Sequence, residues 1–195
     1  MRRASLRSRK TNETDVRVRL DLDSADVPDV DTGIGFFDHM LTLFAQHGGF
    51  TLNVRAKGDL TVDPHHSVED VGIVLGEALR EALGDKAGIR RYACAYVPMD
   101  EALVRTALDL SGRSFCHYHA TVRARRLGSL DTELVEDFLR ALADHGKLTM
   151  HVDMIRGRNS HHIVEAVFKS LGRALGEAVE IVGTRIPSTK GTLSG

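Results

Sequence analysis

The sequence predicts an α+β fold in which one sheet-plus-helices unit is used twice. Three matched segments carry that reading. Residues 13–22 align with residues 101–110 at an offset of 88, with six of ten positions identical. Both alternate apolar and polar residues (Val16, Val18, Leu20, Leu22; Val104, Thr106, Leu108, Leu110), the period of a half-buried strand. Residues 47–54 align with 145–152 at an offset of 98. Each follows a helical apolar pattern (Phe37, Met40, Leu41, Phe44; Leu134, Phe138, Leu139, Leu142), and Gly48 and Gly146 serve as helix stops. The third match sets His65-His66-Ser67-Val68-Glu69 on His161-His162-Ile163-Val164-Glu165 at an offset of 96. Each opens a long helical pattern, through Val71, Leu75 and Leu79 or through Val167, Leu171 and Leu175. The predicted order is strand, helix, strand, helix, and then the same again. Similar offsets leave only small loop changes between units 1–87 and 88–195. The turn at Gly84, Asp85 and Gly88 marks the break. No low-complexity linker separates the units, so one compact domain with a shared core is expected.

Composition excludes several function classes. A chain of 195 residues buries a core without disulfide staples. Lys and Arg total 26 against 27 Asp and Glu, so no basic surplus marks a nucleic-acid binder, and aromatics are only 5%. No run approaches the ~20 apolar residues of a membrane span. The basic start is not followed by an apolar stretch, so no secretory signal is expected. Cys94 and Cys116 lack metal or redox spacing, which favours a reducing, cytoplasmic setting. Histidine stands out, with ten copies, several adjacent to one another.

The repeated HHxxE motif carries the chemistry. At a helix start, His65 and Glu69 share a face. Adjacent histidines diverge by about 100° around the axis, so each pair suits two ions rather than one. Two copies at matched positions predict two pseudo-equivalent metal sites. The same repeat sets Asp137 on the position of His39, eight residues before His145 and His47. The ligand pool is then His39, His65, His66, Glu69, Asp137, His161, His162 and Glu165. Imidazole and carboxylate together suit Mn, Fe, Co or Zn, and no thiolate favours zinc. His117 and His119 read as one exposed strand face, and His151 as another strand histidine. The polar tail from Pro187 reads on composition as a frayed end.

Four motifs together resemble the imidazoleglycerol-phosphate dehydratase family: Gly33-Ile-Gly-Phe-Phe-Asp-His-Met-Leu41, Asp63-Pro-His-His-Ser-Val-Glu-Asp70, Arg158-Asn-Ser-His-His-Ile-Val-Glu-Ala166 and Ser188-Thr-Lys-Gly191. The resemblance runs from about Arg9 to Leu193, at the length of the form with a single activity. It implies a fold like the second domain of ribosomal protein S5. It implies conversion of imidazole glycerol phosphate to imidazole acetol phosphate and water, in histidine biosynthesis. It also implies two Mn ions per active site at subunit contacts, in a shell of twenty-four subunits. Two ions holding the ring as an imidazolate would favour loss of the hydroxyl through a diazafulvene, whose neighbouring C–H is acidic.

The resemblance assigns roles residue by residue. Glu13 is the proton shuttle, with Glu165 and His47 as further catalytic groups. Arg91, Arg113, Ser188, Thr189 and Lys190 become the phosphate pocket, since Arg clamps phosphate in bidentate fashion and Lys adds a point charge. Gln46, His47, His39 and Lys169 fall near the rest of the substrate. Two positions depart from the family. Asp137 stands where His or Glu is usual, and Pro64 stands where an Asp usually precedes the histidine pair, at the expense of a partner for an imidazole. Two other classes compete: a non-catalytic shell glued by metal, which does not need the cationic pocket, and a dimetal hydrolase, which does not need a ring-sized ion separation.

Overall fold

The computed structural model describes residues 2–193. The first unit comprises β1 (Ala4–Lys10), β2 (Thr14–Asp21), β3 (Asp29–Asp31), α1 (Gly35–Gly48), β4 (Thr51–Gly58) and α2 (His65–Leu83). The second comprises β5 (Tyr92–Met99), β6 (Ala102–Asp109), β7 (Phe115–His119), a small ribbon of β8 (Arg126–Leu127) and β9 (Leu130–Asp131), α3 (Leu134–Gly146), β10 (Thr149–Arg156) and α4 (Ser160–Ala178). Each unit therefore reads strand, strand, strand, helix, strand, helix. The two sheets have matching orders, β1-β2-β4-β3 and β5-β6-β10-β7. In each, the last pairing is parallel and the others are antiparallel.

The sequence pattern misses β1, β3 and β5 for a physical reason, and finds β7 only as the exposed strand face of His117 and His119. β1 is mostly polar and exposed, and β3 has only three residues. β5 buries small side chains, Ala93 and Ala95, which give a weak alternation. β7 lies at a sheet edge and buries no residue fully. The strands that were legible bury larger β-formers, such as Val16, Val18 and Leu20 of β2, whose branched side chains suit a pleated, half-buried surface.

Each sheet turns one face to helices, and the helices of one unit pack on those of the other. α1 lies against α4, and α2 lies against α3. The four helices fill the space between the sheets, and one continuous core contains residues of both units. Phe37 of α1, Phe138 of α3 and Phe168 of α4 meet edge-on or stacked, with centroids 5.3 to 6.3 Å apart. All three are inaccessible to water, and truncating such a ring to alanine costs about 3–5 kcal/mol.

Close helix approach depends on two equivalent glycines. A Cβ on Gly76 of α2 would lie 2.7 Å from the Gly146 nitrogen and 2.9 Å from the Leu142 carbonyl oxygen of α3. A Cβ on Gly172 of α4 would overlap the Phe44 carbonyl of α1 and crowd the Gly48 nitrogen. These contacts are repeat-related, and both obstacles are backbone, which cannot rotate away. Gly172→Ala and Gly76→Ala should each destabilise by about 1–3 kcal/mol, the usual cost of overpacking. Urea unfolding checks this, and unchanged midpoints in both variants would contradict the close approach.

Candidate functional site

The two helix starts are fixed by side-chain caps. Asp63 Oδ1 accepts the His65 backbone N–H at 2.8 Å. Asn159 Oδ1 accepts those of His161 at 2.9 Å and His162 at 3.3 Å. Each cap satisfies otherwise unpaired donors of a first turn. Pro64 sits at the entry to α2 with φ −79°, where its fixed φ is tolerated. Within each pair the rings diverge as expected. His65 and His66 are 6.0 Å apart and inclined by 81°, and His161 and His162 are 6.2 Å apart and inclined by 84°.

One histidine of each pair faces a helix of the other unit. His39 of α1 joins His161 and Glu165 of α4, with one ligand atom from each within 4.8 Å of the others. His161 Nε2 lies 3.0 Å from Glu165 Oε2. In the second group, His65 Nδ1 of α2 lies 3.7 Å from Asp137 Oδ2 of α3. Glu69, one turn further along α2, lines a shallow pocket with Asp137. Each cluster thus takes one group from one unit and two from the other. Two imidazoles and a carboxylate in the first cluster fit a divalent first-row ion with open positions. Glu165 is buried, which raises its pKa. Lys169 at 2.5 Å and His161 outweigh that effect, so the net shift is downward and the carboxylate is ionised.

The other histidine of each pair is oriented by acids of its own unit. His66 Nδ1 meets Asp59 at 3.1 and 3.2 Å, and its Nε2 lies 3.9 Å from Glu13. His162 Nδ1 meets Glu101 at 2.8 Å, and its Nε2 lies 3.9 Å from Asp100. These carboxylates raise both imidazole pKa values. Asp59 corrects one expectation: Pro64 does not leave His66 without a carboxylate partner. Glu101 and Asp59 were both missed as site residues. Glu101 was legible, because the repeat aligns it with Glu13. Asp59 has no acidic counterpart at the matching offset, where Gly157 stands.

A cationic cleft lies elsewhere on the chain. Arg91, Arg113, Ser188, Thr189 and Lys190 line a cavity of about 680 Å³. Arg91 pairs with Asp109 at 2.7 Å and donates to the Pro187 carbonyl at 2.7 Å. Buried Lys86 donates to the carbonyls of Leu110 at 3.1 Å and Leu193 at 3.4 Å. Burial lowers its pKa. The tail is therefore docked, and Leu193 is only 6% exposed. The frayed-end expectation fails through residue 193 because buried donors take up the tail's carbonyls; residues 194 and 195 lie outside the described residues. No spacing signal could have singled out Lys86. Gln46 and His47 are not brought to this cleft. They line a separate cavity of about 780 Å³ with Arg90 and Arg173. Burial lowers the His47 pKa, and Lys169 and Arg173 add to that shift. The cationic cleft shares no lining residue with either helix-start cluster.

Comparison with known proteins decides the family. The model of the imidazoleglycerol-phosphate dehydratase family matches residues 32–175. The chain belongs to the imidazoleglycerol-phosphate dehydratase family. A relative of that name from Thermoanaerobacter sp. (strain X514) is 57% identical over 195 residues, covering 99% of this chain and all of the relative. Another, from Halorhodospira halophila, is 56% identical over 188 residues and covers 95% of each chain. The crystal structure of the Staphylococcus aureus enzyme is similar with a TM-score of 0.83 at 42% identity, over 91% of this chain and 99% of that one. The Pyrococcus furiosus structure gives 0.84 at 37%, over 95% and 99%. The family are metal-dependent hydro-lyases of histidine biosynthesis, and the duplicated α+β fold agrees with these structures. No helix among the described residues is long and apolar enough to cross a membrane.

Glu101 gives a pH prediction. Backbone N–H groups of Asn159 and Arg158 and the His162 ring draw its pKa from 4.5 down to about 2. A depressed folded value means that this carboxylate stabilises the fold above about pH 4.5 and that its contribution is lost as pH falls toward 2. The gap in unfolding midpoint between wild type and Glu101→Gln should be full at pH 6 and close near pH 2. A gap constant with pH would show that the carboxylate charge is not what those bonds use.

Proposed function

We propose that this chain dehydrates imidazole glycerol phosphate to imidazole acetol phosphate at a centre holding two Mn(II) ions. The observation that carries the reading is the cluster of His39, His161 and Glu165 across the two units; at the repeat-related position His65 lies 3.7 Å from Asp137, and Glu69 lines one pocket with Asp137. Two similar donor groups are what a substrate ring with two nitrogens requires. When bound, the ions supply charge stabilisation to the ring as an imidazolate.

The residues then divide the remaining work. Arg113, Ser188, Thr189, Lys190 and Arg91 bind the phosphate and hold the substrate in register. Arg113 and Lys190 are exposed and have charge to offer. Arg91 spends part of its guanidinium on Asp109 and so also fixes the loop. The hydroxyl would leave the carbon attached to the ring as water, taking up the proton that the ring gives up on becoming an imidazolate, and a diazafulvene would result. Its neighbouring C–H is acidic, and Glu13 takes that proton and returns one to the ring-side carbon as the enol becomes a ketone. Glu13 stands on an exposed turn beside His66, where a carboxylate can reach a substrate. Gln46 and His47 contact the substrate from the other cavity, Lys169 does so from beside Glu165, and Glu165 doubles as ligand and acid–base partner.

The separation of these parts supports a multi-chain site. His66 and His162 are each held through Nδ1, and their Nε2 atoms turn outward toward exposed acids. We assign them as ligands to ions of neighbouring subunits, in a shell of twenty-four chains in the cytoplasm. The cationic cleft of one chain then faces the clusters of another.

Chelator-stripped protein should lack dehydratase activity, and added Mn(II) should restore it together with the large assembly. Turnover by fully stripped protein would sink the metal-dependent reading. Glu13→Gln should lower kcat by about 10²–10⁴, the span of general acid–base catalysis, while bound Mn(II) per chain stays unchanged. A wild-type rate in that variant would remove Glu13 from the proton transfer.

A further inference from the structure

Three histidines of the second sheet take no part in the helix clusters. β7 and β10 run parallel, and their register sets His117 opposite His151 and His119 opposite Asp153. All four project from the face turned away from the helices, since the alternating Met150 and Val152 are buried. The rings gather there. His117 lies 5.6 Å from His151 and 6.3 Å from His119, centroid to centroid. His117 Nε2 is 3.9 Å from Asp153 Oδ1, and Arg105 holds the other oxygen of that carboxylate at 2.7 Å. Phe115 packs beside His151 at 5.4 Å and forms an apolar wall.

Two imidazoles bound to one ion at about 2.1 Å place their centroids roughly 5 Å apart, closer than the 5.6 and 6.3 Å found here. Binding an ion would therefore draw these exposed side chains together by rotation. The donor set is rich in imidazole and poor in carboxylate, which favours nickel, copper or zinc over manganese.

The repeat supplies a control within the same chain. The corresponding strands of the first sheet pair Asp29 with Asn53 and Asp31 with Arg55, and Arg55 closes on Asp29. The fold therefore builds the same strand pair without a single imidazole. The histidine group belongs to the second unit alone and is not a copy of the helix clusters.

We propose that His117, His119 and His151, with Asp153 beside them, form a second kind of metal site, for a late divalent transition-metal ion, on the outer face of the second sheet. The test is equilibrium dialysis of the full chain against Ni(II), with bound nickel counted per chain. His117→Ala/His151→Ala should bind one ion fewer than wild type, with its Mn(II)-dependent dehydratase rate unchanged. His119→Gln/His151→Gln, which keeps side-chain bulk on the sheet, should show the same loss. Cu(II) added to the wild type should give nitrogen hyperfine structure that both variants reduce. Equal nickel counts in wild type and variants overturn the proposal. So does a loss confined to the alanine variant, which would report a disturbed sheet rather than missing ligands.

Discussion

The close, side-by-side approach of helices from opposite units is the constraint on which the rest depends. Gly76 and Gly172 remove the side chains that would hold α2 off α3 and α4 off α1. Each pair runs in parallel. Along α1 and α4, His39 meets His161 and Glu165, then Phe44 meets Gly172, then Gly48 meets Gly176. The same order recurs along α2 and α3, from His65 and Asp137 to Gly76 and Gly146. Two helix starts therefore lie together at the end where the candidate metal ligands stand. The three mutually packed phenylalanines fix the pairs against each other, so the clusters inherit the rigidity of the core.

That arrangement has an electrostatic consequence. Parallel helix starts present partial positive charge to the same place, which by itself disfavours a cation. The carboxylates answer it. Glu165 is ionised despite burial, because Lys169 and His161 hold it so. Behind the outward histidines, Asp59 and Glu101 fix the Nδ1 side of each ring and leave Nε2 as the free donor. Carboxylates in this position commonly set both the tautomer and the basicity of a ligating imidazole. The N-cap groups Asp63 and Asn159 complete the arrangement by holding the backbone from which the rings project.

The duplication made much of this legible. An amphipathic helix with large apolar residues announces itself, and so did α1 to α4. The strands β2, β4, β6 and β10 pair large inward residues with polar outward ones and were equally clear. Edge strands such as β1 and β3 were not, because edges need little apolar surface. In the site, the HHxxE pairs and the correspondence of His39 with Asp137 followed from the repeat. Lys86 and Asp59 did not, since each acts through a tertiary contact that no local pattern encodes. His151 shows the same limit from another side. On its own strand it is one more exposed histidine, and only the register with β7 gives it company.

The crossed make-up of the clusters bears on ancestry. A single unit contains only part of each ligand set and so could build neither cluster. Two identical units related by a two-fold axis would build two equal ones, as isologous contacts must. Within one chain that equality is not required, and here it does not hold. His39 is answered by Asp137, and buried Glu165 by exposed Glu69. One centre has become richer in carboxylate and more open to water than its twin. Divergence of this kind lets a single polypeptide make its two donor groups unequal, a freedom that strict symmetry denies to a pair of identical chains.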